Sequence, residues 1–369
     1  MQLYAAELTF SEAIEFVKIS IYSRYPVDSP GGVERFIISL RDVLNRHGHC
    51  CEVIESASLG CSDTDTFYSV AKAMANDWRK RQNSSDIGVF NGEYGVMAPR
   101  GRTVNVFHGT FTGRNLACAK ITPLKRTLAG FIIGGFRHWR AGFRNHRVAV
   151  SSSCARQLTY LNLLGGSTVI QNGVDVNMFS PAEQAAARER LELPLEGRIY
   201  LYASRIEENK FPGFVNEWAK NLLPDEHLVV AADKQMDWES KVVFMQNVAY
   251  ERMPLLYQAA DVFLMPTLYE GCSYAVIEAM SCATLLVASP VGHSQDIIAT
   301  EPELKQCFEP KYDAMSFLSR ARKLLNDTDR AQLIKQLERK YVLENNSDEI
   351  MGKKYEALFE RILRRSGRS

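Results

Sequence analysis

Short apolar runs alternate with longer amphipathic stretches from one end of the chain to the other. Runs near 17–22, 50–54, 86–90, 103–107 and 147–151, then near 168–171, 198–203, 227–232, 241–245, 261–265 and 284–288, have the length of buried strands. The segments between them carry apolar residues at helical spacing, as in Phe36-Ile37-Ile38-Ser39-Leu40-Arg41-Asp42-Val43-Leu44. Strand and helix in alternation predict parallel sheets with right-handed crossovers. The pattern breaks between about 170 and 195, where Gly165-Gly166 and then Pro181 and Pro194 interrupt it. The fold class expected is therefore α/β, with two doubly wound parallel-sheet (Rossmann-like) domains facing a cleft. No internal repeat or low-complexity linker is present.

A chain of 369 residues with 46% apolar content has room for two cores. Its net charge of +1 gives no overall signal for nucleic acid. The eight cysteines show no paired C-x2-C spacing and read as reduced, buried small side chains. Glu7, Glu12 and Glu15 spoil the first residues as a signal peptide, and no apolar run is long enough to cross a bilayer, so the expected location is the cytosol.

Charge becomes informative once it is placed along the chain. Residues 1–174 hold 20 Lys and Arg against 13 acids, and the remainder holds 24 against 30, so the halves are +7 and −6. Between Glu93 and Asp175 there is no acid at all, but there are eleven cations: Arg100, Arg102, Arg114, Lys120, Lys125, Arg126, Arg137, Arg140, Arg144, Arg147 and Arg156. Within this gap, residues 124–144 interleave Phe131, Phe136, Trp139 and Phe143 with Lys125, Arg126, Arg137, Arg140 and Arg144. Such a segment can dock on an anionic membrane surface or acceptor; a core helix that snorkels its arginines would share the composition, and the glycines weaken an amphipathic helix.

The chemistry concentrates in Tyr269-Glu270-Gly271-Cys272-Ser273-Tyr274-Ala275-Val276-Ile277-Glu278. It follows an apolar run that ends in Pro266, so both acids fall at a strand-to-helix junction. In an open α/β sheet ligands bind at that end of the strands, and the N–H groups of the helix start attract anions. Carboxylates beside an anion site suit a ligand with both phosphate and hydroxyls, such as a phosphorylated sugar. Glutamates that merely cap a helix give the same local pattern. Asp63-Thr64-Asp65 and Asp327-Thr328-Asp329 have the letters of a metal-binding pair but sit in turn and helix-end contexts, so no metal site is expected.

Taken with other segments, this motif resembles the E-x7-E signature of family 4 retaining glycosyltransferases. Gly31-Gly32-Val33-Glu34-Arg35-Phe36 resembles the acceptor-side glycine loop, Val106-Phe107-His108-Gly109 the strand-end histidine, and Gln171-Asn172-Gly173-Val174-Asp175 the connector between the halves. Ala203-Ser204-Arg205-Ile206-Glu207-Glu208-Asn209-Lys210 resembles the G-R-x4-K loop, and Leu256-Tyr257-Gln258-Ala259-Ala260-Asp261 the helix before the motif. The resemblance spans roughly 18 to 300. It implies the GT-B fold: an acceptor-binding domain over 1–172, a nucleotide-sugar-binding domain over 173–347, and a final helix within 348–369 that crosses back to the first domain.

The roles it implies are specific. Arg205 and Lys210 would neutralise the departing diphosphate, Glu270 would hold donor-sugar hydroxyls and Glu278 the ribose, and His108 would approach the sugar from the first domain. Backbone around Gly271, Cys272, Ser273 and Tyr274 would add N–H donors, and Gly31 and Gly32 would let backbone approach phosphate or acceptor. Catalytic gain lies where charge grows on the leaving phosphate. No cofactor or metal is implied beyond the donor substrate, a UDP-sugar in preference to a GDP-sugar. Ser204, Ala283 and Gly292-His293-Ser294-Gln295 depart from the family pattern, which leaves the shape of the sugar pocket open.

The expected function is hexosyl transfer with retention to a lipid-linked, lipopolysaccharide or other cell-envelope glycan, by a protein peripheral on the inner face of the cytoplasmic membrane. A nucleotide-sugar epimerase or phosphorylase on the same fold, acting on a soluble substrate, is the alternative. A non-catalytic relative would have lost Arg205, Lys210, Glu270 or Glu278, and all four are present.

Overall fold

The computed structural model describes residues 16–29 and 31–367. Glu7, Glu12 and Glu15 lie outside the described residues. Among the described residues, eleven strands form two parallel sheets. The first contains β1 (Lys18–Ser23), β2 (Cys50–Glu55), β3 (Ile87–Asn91), β4 (Thr103–Phe107), β5 (His146–Ala149) and β6 (Thr168–Val169), in the order β2-β1-β3-β4-β5-β6. The second contains β7 (Arg198–Ala203), β8 (Glu226–Ala232), β9 (Val242–Gln246), β10 (Val262–Met265) and β11 (Leu285–Ala288), in the order β11-β10-β7-β8-β9. Each strand order reverses direction beside its first strand, which opens a crevice at the carboxyl ends.

The apolar runs of the sequence are these strands. Runs such as Ile87–Asn91 and Val262–Met265 are buried at every position, because helices cover both faces of a parallel sheet. The run at 168–171 heads the second group in the sequence pattern. It is instead the edge of the first sheet, where β6 pairs with β5 and Ile170 N–H donates to Ala149 O at 3.0 Å. On the first helix, Gly32–Arg46, the residues Phe36, Ile37, Leu40, Val43 and Leu44 are fully buried. Each such side chain stabilises the fold by about 1.5–3 kcal/mol.

The final helix, Asp348–Arg365, starts at a Ser347 cap and lies on the first helix. Arg46 Nη2 reaches Asp348 and Glu349 at 2.7 Å each, and His47 bridges Glu349 (2.7 Å) and Glu356 (2.8 Å). Burial works against a charge on His47, but its two carboxylate partners outweigh that and raise its pKa. Farther along, Arg361 donates to Thr168 Oγ1 at 3.3 Å. These contacts tie the end of the chain to the first domain.

Residues Leu124–Arg144 form a continuous helical stretch with a wide turn at Gly130–Gly134. Its glycines do not break it, because they form its inner face. A side chain on Gly134 would strike Phe111, one on Gly130 would strike Asn115, and one on Gly142 would strike Leu164. Close backbone approach therefore requires glycine at these positions. The opposite face exposes Leu124, Leu128, Phe131, Ile132, Ile133, Phe136, Trp139 and Phe143. No helix among the described residues is long and apolar enough to cross a membrane.

Candidate functional site

A cleft of about 600 Å³ opens between the carboxyl ends of the two sheets. The second domain contributes two loops. The first follows β7 and turns at Phe211, whose φ of 50° stops the short helical turn Glu208–Lys210. The other follows β10 and runs into the motif helix, Tyr274–Ser281. Leu268 N–H donates to Asn209 O at 2.9 Å and fastens the two loops together. As a result Lys210 Nζ stands 3.1 Å from Glu270 Oε1 at the cleft, both side chains being mostly buried. The cation loop and the acid motif, sixty residues apart in sequence, thus form one charged pair.

Arg205 also lines the cleft but is more than half exposed, and its Nη2 lies 3.1 Å from Glu207 Oε1. Arg114 of the first domain approaches the other oxygen of Glu207 at 3.7 Å, so one carboxylate collects a cation from each side. Gly271 packs so tightly that a side chain there would sit 2.0 Å from His108 O. Gly292, at φ 56°, lies under the Glu270 and Gly271 carbonyls, and His293 N–H donates to Gly271 O at 2.9 Å. The Gly292-His293 departure from the family pattern therefore shapes the floor of the motif loop. Ala283 adopts φ 56°, a left-handed conformation that suits the glycine usual there.

From the first domain, Gly31, Gly32 and His108 line the same cleft. His108 is half-buried, stacks edge-on against Phe36 at 4.7 Å, and sits 2.9 Å from Asn91 Oδ1 through Nε2. Asn91 spends its amide on Tyr22 O at 3.0 Å, which leaves its oxygen to accept, so the His108 proton is on Nε2 and Nδ1 is an acceptor. Burial lowers the His108 pKa to about 4, so the imidazole is neutral at physiological pH. Glu34 folds its carboxylate over Gly31; burial raises its pKa, against the pull of Arg205. A second hollow of about 350 Å³ shares His108 and Val33 with the cleft and is lined by Tyr25, Glu34, Glu93, Tyr94, Phe111 and His138.

Glu278 is not at the cleft surface. It is wholly buried, with Oε1 3.2 Å from Arg35 Nη1 and Oε2 accepting from Tyr257 OH at 2.9 Å. Arg35 lines the cleft in front of it. Burial raises the Glu278 pKa, opposed chiefly by Arg35. The sequence named Glu278 but not the roles of Arg35 and Tyr257, although Arg35 stands directly after the glycine loop and Tyr257 in the helix before the motif. Tyr269, which opens the motif, makes a contact that its sequence position does not announce: its hydroxyl accepts from Thr110 N–H at 2.5 Å and donates to Gln157 Oε1 at 2.9 Å, crossing between domains. The aspartates at 65 and 327 serve locally, Asp65 holding Ser62 N–H and Asp327 capping the helix Thr328–Asn345.

The docking residues sort by partner. Arg137 stacks over Phe67 at 4.2 Å and Tyr68 at 5.4 Å, Arg147 is bound to the Gly142, Gly165 and Gly166 carbonyls, and Arg156 to Gln295. Arg137 is thus half-buried and held against two aromatic rings of the first domain. Lys125, Arg126 and Arg140 are exposed on the same helical stretch as Trp139, and Arg144 is half-buried.

A profile of the family described as "Glycosyl transferases group 1" matches residues 197–327. Residues 197–327, within the second domain, are thus similar to group 1 glycosyltransferases. Over 140 residues, 34% of its length, the chain is 30% identical to D-inositol 3-phosphate glycosyltransferase of Mycobacterium leprae, and the matched part is 32% of that protein's length. The whole two-domain arrangement is the GT-B fold. It superposes on sucrose-phosphate synthase from Thermosynechococcus elongatus with a TM-score of 0.78 at 16% identity, over 94% of this chain and 99% of that one. It superposes on HepE from Anabaena, solved with UDP and glucose, at 0.70 and 15%, over 92% and 98%. For WaaG, a glycosyltransferase involved in lipopolysaccharide biosynthesis, the values are 0.72 and 13%, over 92% and 99%.

Proposed function

We propose that this chain is a retaining, metal-independent glycosyltransferase that moves a hexose from a nucleotide-diphosphate sugar to a glycan or glycolipid acceptor at an anionic membrane surface. The observation that carries this reading is the Lys210–Glu270 pair at 3.1 Å, facing neutral His108 across a cleft of about 600 Å³. A cation for the leaving phosphate and a carboxylate for sugar hydroxyls are the two things the transfer needs side by side. Breaking the sugar–phosphate bond builds negative charge on the diphosphate, and preorganised Lys210, Arg205 and the N–H groups of the motif-helix start answer it where it grows. The diphosphate is then served by side-chain cations, with no call for a divalent ion. Neutral His108 is suited to hydrogen bonding with sugar hydroxyls and adds no charge that would oppose a cationic sugar centre.

The hollow beside His108 supplies the acceptor side, with Tyr25, Tyr94 and Phe111 as apolar faces and Glu34 and Glu93 as acceptors for hydroxyls. The apolar row from Leu124 to Phe143, flanked by Lys125, Arg126 and Arg140, supports attachment to anionic headgroups. A screen of UDP- and GDP-hexoses with extracted envelope glycolipids, read by mass for released nucleoside diphosphate and by NMR for the anomeric configuration of the product, tests the proposal. Release tied to acceptor, with configuration kept, is the expected result; inversion, or product without loss of nucleoside diphosphate, is incompatible with it.

A further inference from the structure

The Glu278 carboxylate meets the cleft wall through Arg35 and Tyr257, and of these two Arg35 is the one that comes from the other domain. Both of its oxygens are held, Oε1 by Arg35 Nη1 at 3.2 Å and Oε2 by Tyr257 OH at 2.9 Å, and the residue has no exposed surface. Tyr257 belongs to the same domain as Glu278, while Arg35 projects from the first helix of the other. Its guanidinium lies 4.7 Å above the Tyr250 ring, so an aromatic face of the second domain supports it as well. About 30% of the Arg35 side chain is exposed, and it forms part of the cleft wall. Arg35 is a cover over the acid, and it joins the two domains.

A ligand that uses Glu278 has to replace the Arg35 contact, and the free energy of that contact is subtracted from its binding. The chemistry able to do so is a vicinal diol, which can donate one hydrogen bond to each carboxylate oxygen. We propose that Arg35 is a cross-domain gate on the nucleoside end of the cleft, holding Glu278 until the two hydroxyls of a ribose displace it. Entry of the nucleotide then releases a contact between the domains, so donor binding and domain movement are coupled. This inference rests on the donor reading above.

Calorimetric titration with bare UDP and bare GDP separates the possibilities, using the wild-type chain, Arg35→Ala, Arg35→Gln, Glu278→Gln and the Arg35→Ala/Glu278→Gln double variant. Thermal unfolding confirms that each is folded, and the Gln variant preserves bulk where Ala does not. A gate predicts that both Arg35 variants bind a nucleotide about tenfold tighter than wild type, the scale of one charge-assisted hydrogen bond removed from the free state. Glu278→Gln should bind more weakly, and in its background the Arg35 change should have no further effect. Equal or weaker binding by folded Arg35 variants, with wild-type binding intact, overturns the gate and makes Arg35 a structural tie or a direct nucleotide contact. A wild-type chain that binds neither nucleotide overturns the donor reading itself and the gate with it.

Discussion

Lys210 and Glu270 hold each other in place, so each loses a partner when the other is removed. Lys210→Ala and Arg205→Ala should each lower turnover by about a hundredfold, the effect of deleting one preorganised group at a developing charge. Stopped assays of nucleoside diphosphate release, with circular dichroism to confirm the fold, check this; rates near wild type in both variants would remove the diphosphate clamp. These residues were legible because they stand in ordered, spaced motifs. The engagement of Glu278 was not, since which side chain from the other domain covers an acid depends on how two sheets are juxtaposed. The same limit hid Arg114, which reads as one more cation of a basic stretch until the fold brings it to Glu207.

At the level of elements, strand positions followed closely from apolar runs because a sheet covered on both faces leaves its strands uniformly buried. The exceptions are the edge strands β2, β6 and β9, which are only partly buried; the run that contains β6 is visible in the sequence but groups there with the second sheet. The helix Thr328–Asn345 carries a feature that no pattern announces: Glu338 is buried, accepts from Leu286 N–H of β11 at 3.1 Å, and is pushed up to about 8 by that burial. It is protonated in the fold at neutral pH and ionised when unfolded, so its contribution to stability falls as pH rises from its unfolded value toward 8. His47, raised by its carboxylates, adds to the loss as pH rises through its folded pKa. His108 and His293, both lowered to about 4 by desolvation, act oppositely, but their effect is complete by about pH 6.5. Thermal midpoints should therefore fall between pH 6.5 and 8, and Glu338→Gln should flatten most of that fall. An unchanged slope in the variant would exclude Glu338 as its source.

For the molecule as a whole, the charge asymmetry read from the chain becomes a first domain whose 124–144 stretch exposes an apolar row together with Lys125, Arg126 and Arg140. Each cation near an anionic surface contributes about 1 kcal/mol, so three changed together should weaken attachment by about a hundredfold. Cosedimentation with vesicles containing anionic lipid should fall with added salt, with Lys125, Arg126 and Arg140 changed to Ser, and with Trp139→Ser/Phe143→Ser. Arg137→Ser should instead lower the melting temperature, because Arg137 packs on Phe67 and Tyr68. Binding to neutral and anionic vesicles alike would count against an electrostatic dock.

The most direct test of the central claim, that the cleft between the sheets is a nucleotide-sugar site, is a crystal structure of the protein with an intact UDP-hexose. The account predicts diphosphate oxygens within hydrogen-bond reach of Lys210 and Arg205, with the motif-helix start beside them. The hexose should lie on Glu270 beneath His108, with the ribose at Glu278 and Arg35 turned away. A nucleotide bound elsewhere on the chain, or a diphosphate in the cleft that touches neither Lys210 nor Arg205, would contradict it.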